Sequence, residues 1–250
     1  MPSKFKLSPS ASDRFLTCTA SLPFNINFIE SEPTLKGNLQ HRVAFLRLDQ
    51  IINSRDHAKE IETLTDYNHE YISAKTPGLK VYWDKDCENT VDNYISYIKQ
   101  LIKEYSPKSV FLEYRIQMVF FENTINGIVD CAMILPDDSL IIIDLKSGRV
   151  KVETDDNNQM LMYAYGIIQD MYKKSGKVSQ SVIISICQSL VNNTQAIKYS
   201  LDQMIKWYVK QHTPMNEINH NELVYRPNKT ACKYCQNRAN CNARIREGVI

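Results

Sequence analysis

Apolar residues recur at every third or fourth position in several stretches of the chain, which is the spacing of one face of an α-helix. Leu39, Val43 and Leu46 show this spacing in one stretch, and Tyr94 and Ile98 show it in another. The pattern predicts helices over residues 37–53, 90–105, 158–173 and 201–211, a short helix within 7–24, and a polar helix and loop within 54–80.

Apolar runs that are rich in β-branched residues predict strands between and after these helices. The predicted strands cover residues 110–120, 126–135, 139–145, 180–190 and 196–200. Pro136 and two aspartates separate the second run from the third, and this composition is typical of a turn, so the two runs form a predicted hairpin. The order of helices, strands, a helix, further strands and a helical cap indicates an α/β fold with one sheet.

Three charged residues lie at the end of the predicted hairpin. Asp130 ends the motif G-x2-D, and Asp144 and Lys146 form D-x-K at the end of the next apolar run. Side chains alternate along a strand, so Asp144 and Lys146 point to the same face. Unpaired charge is costly to bury, which makes this set unusual for a core strand. Carboxylate oxygens that hold a hard cation, with an ammonium group nearby, are what a metal-dependent phosphodiesterase requires.

The pairing register of the hairpin decides whether the three charges meet. A shift of one residue moves every side chain to the other face, so only a loop with an odd number of residues, or a bulge, gathers them. We predict a loop over residues 137–139, which pairs Pro136 with Leu140 and Asp130 with Lys146.

The composition is that of an ordinary globular protein, with 43% hydrophobic and 23% charged residues. Its 250 residues suffice for one domain, which we expect to cover residues 1–250. No apolar run approaches the roughly 20 residues that span a bilayer, and the N-terminus lacks a secretory apolar segment. We therefore expect a cytoplasmic protein with no membrane partner. The net charge of +2 neither requires nor excludes nucleic acid.

Three cysteines near the C-terminus are closely spaced. Cys232, Cys235 and Cys241 form C-x2-C-x5-C, and without a secretory signal such spacing favours a metal over a disulfide. The spacing alone suits zinc as well as an iron–sulfur cluster. Cys131 and Cys187 stand in apolar runs and are predicted to be small buried side chains.

Two polar residues open the helix predicted after the hairpin. Gln159 and Tyr163 are four positions apart and therefore share one helix face. An amide and a phenol can both hydrogen-bond a phosphate or a base, although a polar helix start beside an amphipathic tyrosine would show the same pattern.

The ordered set of motifs resembles the RecB-type branch of the PD-(D/E)XK nucleases. G-x3-H ends at His41, G-x2-D at Asp130, D-x-K at Lys146 and Q-x3-Y at Tyr163, and Glu113 matches an acidic residue of the first strand. One cysteine near the N-terminus and three near the C-terminus resemble the iron–sulfur subgroup, which includes AddB-type helicase-nucleases and the CRISPR-associated adaptation nuclease. Among these, a phage- and prophage-associated family is the most similar over nearly the whole chain.

The resemblance implies a restriction-endonuclease-like core, in which a central mixed sheet is flanked by helices, and a C-terminal Fe–S cap. In that plan Mg²⁺ or Mn²⁺ is held by His41, Asp130, Asp144 and the carbonyl of Leu145. Lys146 orients the hydrolytic water, Gln159 and Tyr163 bind the substrate, and Glu113 holds a further water or a second metal. A 4Fe–4S cluster, with Zn²⁺ as the alternative, is held by Cys18, Cys232, Cys235 and Cys241, within residues 1–30 and 226–250.

The function implied by the resemblance is that of a metal-dependent DNA nuclease, an exonuclease that acts on DNA ends or single strands. The expected setting is phage recombination, repair or DNA processing in the bacterial host cytosol, with a recombination partner protein. Two alternatives use the same residues. The chain could be a catalytically silent DNA-binding or assembly module on this fold, or a regulatory protein in which the cysteine site is the active element.

Overall fold

Five strands form one mixed sheet whose spatial order follows the chain. The computed structural model describes residues 4–24 and 30–249. The strands are β3 (Ser109–Phe120), β4 (Asn123–Ile134), β5 (Leu140–Leu145), β6 (Ser181–Gln188) and β7 (Asn193–Ser200), after a small separate hairpin of β1 (Tyr71–Ile72) and β2 (Lys80–Val81). Neighbours pair antiparallel except β5 and β6, which are parallel. A parallel pair needs a long crossover, and the segment between the two strands supplies it with the helix over Asn158–Ser175.

Helices cover both faces of this sheet. They are α1 (Ser12–Thr17), α2 (Glu32–Asn53), α3 (Ala58–Thr65), α4 (Lys85–Tyr105), α5 (Asn158–Ser175), α6 (Leu201–Lys210), α7 (His212–His220), α8 (Lys229–Lys233) and α9 (Asn242–Arg246). None of the helices in the described ranges is both long enough and apolar enough to cross a bilayer.

Strand β5 lies between two hydrophobic clusters. Leu140 and Ile142 belong to a cluster with residues of α5, α6 and α7, while Ile141 and Ile143 belong to one with residues of α2 and α4. Because side chains alternate along a strand, a strand that is covered on both faces is apolar throughout. The predicted α/β fold with one central mixed sheet flanked by helices is confirmed.

The predicted register of the hairpin is wrong by two residues. Ile134, not Pro136, pairs with Leu140, and Cys131 pairs with Ile143, so the register places Asp130 opposite Asp144. Proline has no N–H to donate to a ladder, which keeps Pro136 in the loop. The Asp137 carboxylate accepts a hydrogen bond from the Ser139 amide at 3.0 Å and closes the turn. The loop spans residues 135–139, an odd number, so the three charges still share one face.

Other predicted elements differ at their ends or were missed. Helix α2 begins before residue 37 because Pro33 lies in its first turn, where proline is well tolerated. The β1–β2 hairpin within residues 54–80 was not predicted, because two-residue strands are too short to show an alternating pattern. Helix α7 was also missed, since its sequence contains a proline and little apolar periodicity.

Candidate active site

Two carboxylates oppose each other where β4 and β5 stop pairing. Asp130 and Asp144 stand one position beyond the last backbone pair, and Asp144 is only 3% exposed. The Leu145 amide donates a hydrogen bond of 2.8 Å to Asp130 Oδ2. The β4–β5 ladder ends before Leu145, so its amide is hydrogen-bonded to the Asp130 carboxylate and not to the backbone of β4. This hydrogen bond holds the Asp130 side chain against β5.

Lys146 joins this pair from the end of β5. Its Nζ atom lies 2.8 Å from Asp144 Oδ2 and donates a hydrogen bond of 3.1 Å to Gln159 Oε1. Gln159 Nε2 donates to Asp144 Oδ1 at 3.2 Å and to the Tyr163 hydroxyl at 3.1 Å. Asn157 caps α5 by accepting a hydrogen bond from the Met160 amide, so the first turns of α5 present both predicted polar residues to the carboxylates.

Two motif glycines let these elements approach closely. A Cβ atom at Gly37 would lie 2.9 Å from the Ser147 side chain, just beyond β5. At Gly127 it would lie 3.0 Å from both Pro9 and Tyr163. A side chain at Gly127 would need Pro9 and Tyr163 to shift by a few tenths of an ångström, whereas one at Gly37 would meet only the end of the Ser147 side chain.

His41 reaches the site from α2. Its Nδ1 atom lies 3.3 Å from Asp130 Oδ1. Burial disfavours the charged imidazole, but the Asp130 carboxylate outweighs burial and raises the pKa of His41 to about 9. Asp130 thus contacts a histidine through one oxygen and a backbone amide through the other.

Glu113 lies on β3, opposite Asp130 of the neighbouring strand β4. The β3–β4 register pairs Leu112 with Cys131 and Tyr114 with Val129, and Glu113 between them has a left-handed backbone with φ of 46°. Its side chain lines a cavity of about 240 Å³ together with Asp130 and other residues: His41, Ala44, Phe45, Leu48, Tyr94, Leu112 and Leu145. Burial, and then the charge of Asp130, raise the pKa of the Glu113 carboxyl.

The pKa values of the two central carboxylates are shifted in opposite directions. Burial raises the pKa of Asp144, with Lys146 opposing and Asp130 adding to the rise. Burial acts on Asp130 in the same direction, but His41 outweighs it and the pKa of Asp130 is lowered. Burial disfavours the charged form of Lys146, but the Asp144 carboxylate outweighs burial and raises the pKa of Lys146. A buried carboxylate and a half-buried one, with a backbone carbonyl beside them, supply the hard oxygen donors that suit Mg²⁺ or Mn²⁺.

The donor atoms are not arranged around a single point. In residues 4–24 and 30–249, no three side chains of His, Cys, Asp or Glu stand together in a geometry that could hold a metal ion. The charges meet each other directly instead, His41 with Asp130 and Lys146 with Asp144. Asp144 Oδ2 is buried and is paired with the Lys146 ammonium group at 2.8 Å, so a cation at this oxygen would share it with Lys146.

Four cysteines from opposite ends of the described chain line a second cavity of about 340 Å³. Cys18 follows α1, Cys232 lies in α8, and Cys235 and Cys241 follow α8. Cys18 and Cys232 are buried and the other two are half-buried. The Arg226 amide donates to Cys18 Sγ at 3.4 Å and joins the two chain segments.

A buried cation stands beside the cysteine cavity. Arg14 is 8% exposed, and among the described residues it donates to Ser21 alone, at 2.9 Å to Oγ and 3.2 Å to the carbonyl oxygen. Burial lowers the pKa of Arg14, while Cys235 and Cys18 raise it. No carboxylate of the described residues pairs with it. Thiolates bound to a metal would carry net negative charge and would balance this guanidinium, although the cysteines of the described residues do not stand together in a metal-binding geometry.

Three residues at the active site were not predicted from the sequence. Asp13, in α1, accepts a hydrogen bond of 2.8 Å from Asn158, and its charge contributes to the raised pKa of Lys146. Tyr94 lines the Glu113 cavity from α4. Local sequence offered no signal for Asp13 or Asn158, and the helical spacing of Tyr94 indicated only a core position.

The fold is similar to several solved structures. One is the crystal structure of a protein from Eubacterium rectale described as a "Putative exonuclease", with a TM-score of 0.51 and 12% identity over 95% of this chain and 88% of that chain. SSO0001 aligns over 94% of this chain and 97% of its own, with a TM-score of 0.38 and 12% identity. VC1899 from Vibrio cholerae aligns over 88% and 57%, with a TM-score of 0.26 and 9% identity. Comparison with curated proteins found no match. The model of a family described as "Protein of unknown function (DUF2800)" matches residues 5–249.

Proposed function

The chain belongs to the DUF2800 family of proteins of unknown function, and from this premise we propose that it is a metal-dependent nuclease that hydrolyses phosphodiester bonds in DNA. One observation carries the proposal. Asp130 and Asp144 oppose each other at the end of a buried strand pair, and Lys146 stands within 2.8 Å of the second carboxylate. The fold shared with the Eubacterium rectale protein, which is described as a "Putative exonuclease", supports the same class.

Each proposed role follows from a contact at this site. A divalent cation bound by Asp130, Asp144, His41 and the Leu145 carbonyl would neutralise the phosphate and lower the pKa of a bound water. Lys146, held by Gln159, keeps its ammonium group at the place where negative charge develops. Gln159 and Tyr163 present an amide and a phenol to the substrate from α5, and Glu113 faces the same centre from β3.

The cysteine cavity is proposed to hold a 4Fe–4S cluster, with Zn²⁺ as the alternative. The ligands would be Cys18, Cys232, Cys235 and Cys241, and the group would tie residues 1–30 to 226–250 as a cap on a single domain. The buried charge of Arg14 supports an anionic centre in this cavity. DNA ends or single strands are the proposed substrates, in keeping with the resemblance to RecB-type enzymes.

Cleavage of end-labelled linear DNA in the presence of Mn²⁺ tests the proposed activity. Asp144→Asn and Lys146→Ala are each expected to lower the cleavage rate by about a hundredfold or more, because each removes charge from the reacting centre. Asp202→Asn and Lys198→Ala are matched controls, since both residues are exposed and lie outside the site. Circular dichroism verifies that all four variants are folded.

Equal cleavage by the two site variants and the wild type would contradict the proposal. DNA binding by the wild type without cleavage, under Mg²⁺ and under Mn²⁺, would instead indicate a catalytically silent DNA-binding module on this fold.

A further inference from the structure

Tyr94 has a hydroxyl group that packing does not explain. The side chain is 2% exposed, and its hydroxyl forms no hydrogen bond with any of the described residues. Buried polar groups are nearly always hydrogen-bonded, and an unpaired hydroxyl destabilises the folded state relative to phenylalanine at the same position. A tyrosine in such a place therefore needs a partner other than the described residues.

The position of Tyr94 indicates where that partner lies. The side chain lines the cavity of about 240 Å³ that Asp130, His41, Glu113 and Leu145 also line. Gln159 and Tyr163 approach the carboxylates from α5, whereas Tyr94 belongs to the cluster on the opposite face of the sheet, with α2 and α4. Tyr94 thus offers a neutral hydroxyl donor on the face of the sheet that α2, the helix of His41, covers.

One carboxylate of this cavity already has partners for both of its oxygens. Asp130 uses one oxygen for His41 and the other for the Leu145 amide. Burial, and then the charges of Cys131, Asp130 and Asp144, raise the pKa of Tyr94 well above its ordinary value. The phenol therefore keeps its proton at neutral pH and has it available to donate.

We propose that Tyr94 is a positioning residue whose hydroxyl donates a hydrogen bond to a water molecule bound to the divalent cation at Asp130 and Asp144. This inference rests on the proposed function, since it requires a cation at that place. Such a donor would orient the water from the side opposite Lys146. Groups that hold the ligands of a metal in this way typically change metal affinity by about tenfold to a hundredfold when they are removed.

Calorimetric titration of the whole protein with Mn²⁺, without DNA, tests the proposal independently of cleavage. Tyr94→Phe is expected to raise the Kd for Mn²⁺ about tenfold or more. It should also keep or raise the Tm of the metal-free protein, because the variant removes an unpaired buried hydroxyl. The combination of a stable fold with weaker Mn²⁺ binding distinguishes positioning from a merely structural role.

Tyr97→Phe is the matched control on the same helix. The Tyr97 hydroxyl is hydrogen-bonded to Ser185 at 2.8 Å, and its side chain does not line the cavity. This variant should bind Mn²⁺ with the wild-type Kd and lose some thermal stability. An unchanged Kd in Tyr94→Phe, with normal Mn²⁺ binding and cleavage by the wild type, overturns the role of Tyr94 and leaves the proposed function intact. A wild type that neither binds Mn²⁺ nor cleaves DNA overturns both.

Discussion

Glu113 is the residue at which backbone geometry and the active site meet. It has φ of 46° within a long strand, a conformation that costs a residue with a side chain about 1–2 kcal/mol. Residues held in such conformations cluster at functional sites, where the surrounding structure enforces them. Here the strained residue stands opposite Asp130 and lines the cavity that His41 also lines.

The strain at Glu113 predicts an inverted order of stability for two small replacements. Glu113→Gly should be more stable than Glu113→Ala by about 1 kcal/mol, because only glycine adopts positive φ freely. Arg115, which is exposed on the same strand, should show the reverse order by about 0.5–1 kcal/mol. Urea unfolding of the four variants measures both differences. Greater stability of alanine at both positions would contradict a strained Glu113.

Helix α1 is the element that connects the two candidate sites. Asp13 near its start is hydrogen-bonded to Asn158 at the start of α5, and Cys18 directly follows its end. Arg14, between them, faces the cysteine cavity with its buried guanidinium. One short helix therefore places a charge near Lys146 at one end and a cysteine in the second cavity at the other.

Loss of Cys18 is expected to empty the cysteine site. Cys18→Ala should remove most of the bound iron or zinc, because three remaining cysteines hold the group less firmly. Cys187→Ala is the control, since Cys187 is also buried but lies in β6, outside the cavity. Metal analysis of anaerobically purified protein compares the two variants. Full metal content in Cys18→Ala would exclude Cys18 as a ligand.

The molecule as a whole is closed by contacts between its two ends. Glu217 in α7 accepts a hydrogen bond of 2.8 Å from the Thr19 hydroxyl and another of 2.8 Å from Arg226. Thr19 in turn accepts the Val224 amide at 2.8 Å. These contacts lie next to Cys18 and join the N-terminal segment to the C-terminal one.

The closing contacts predict a pH-dependent stability. The hydrogen bond from Arg226 holds the pKa of Glu217 below its ordinary value of 4.5. The folded state therefore binds fewer protons than the unfolded one, so the stabilisation is complete above that value and is lost as pH falls through the folded pKa. Glu217→Gln should lower the unfolding free energy by about 1–2 kcal/mol at neutral pH, and by less in acid.

Urea unfolding at neutral pH and near pH 3 measures this difference. These two pH values lie above and below the ordinary pKa of a glutamate. Glu222→Gln is the control, because Glu222 is exposed nearby in the same segment and should show no change at either pH. A Glu217→Gln difference of equal size at both pH values would contradict the contribution of its charge.

The predictions from sequence succeeded where a regular backbone period decides and failed where a side-chain contact sets the length of a turn. The spacing of Gln159 and Tyr163 predicted a shared helix face, and the two side chains are hydrogen-bonded. The register of the β4–β5 hairpin was wrong by two residues, because the turn is closed by the Asp137 side chain and not by the shortest loop. The roles of these residues in catalysis stay predictions.

The sequence by itself determined the α/β order of elements and the common face of Asp144 and Lys146, since helix and strand periods are properties of the backbone. It also grouped the four cysteines through a family resemblance. Only the tertiary structure placed Asp130 opposite Asp144, brought His41 to it from α2 and left the Tyr94 hydroxyl without a partner among the described residues. These arrangements depend on how distant elements pack, because a side chain distant in sequence becomes a neighbour only when the sheet and helices assemble.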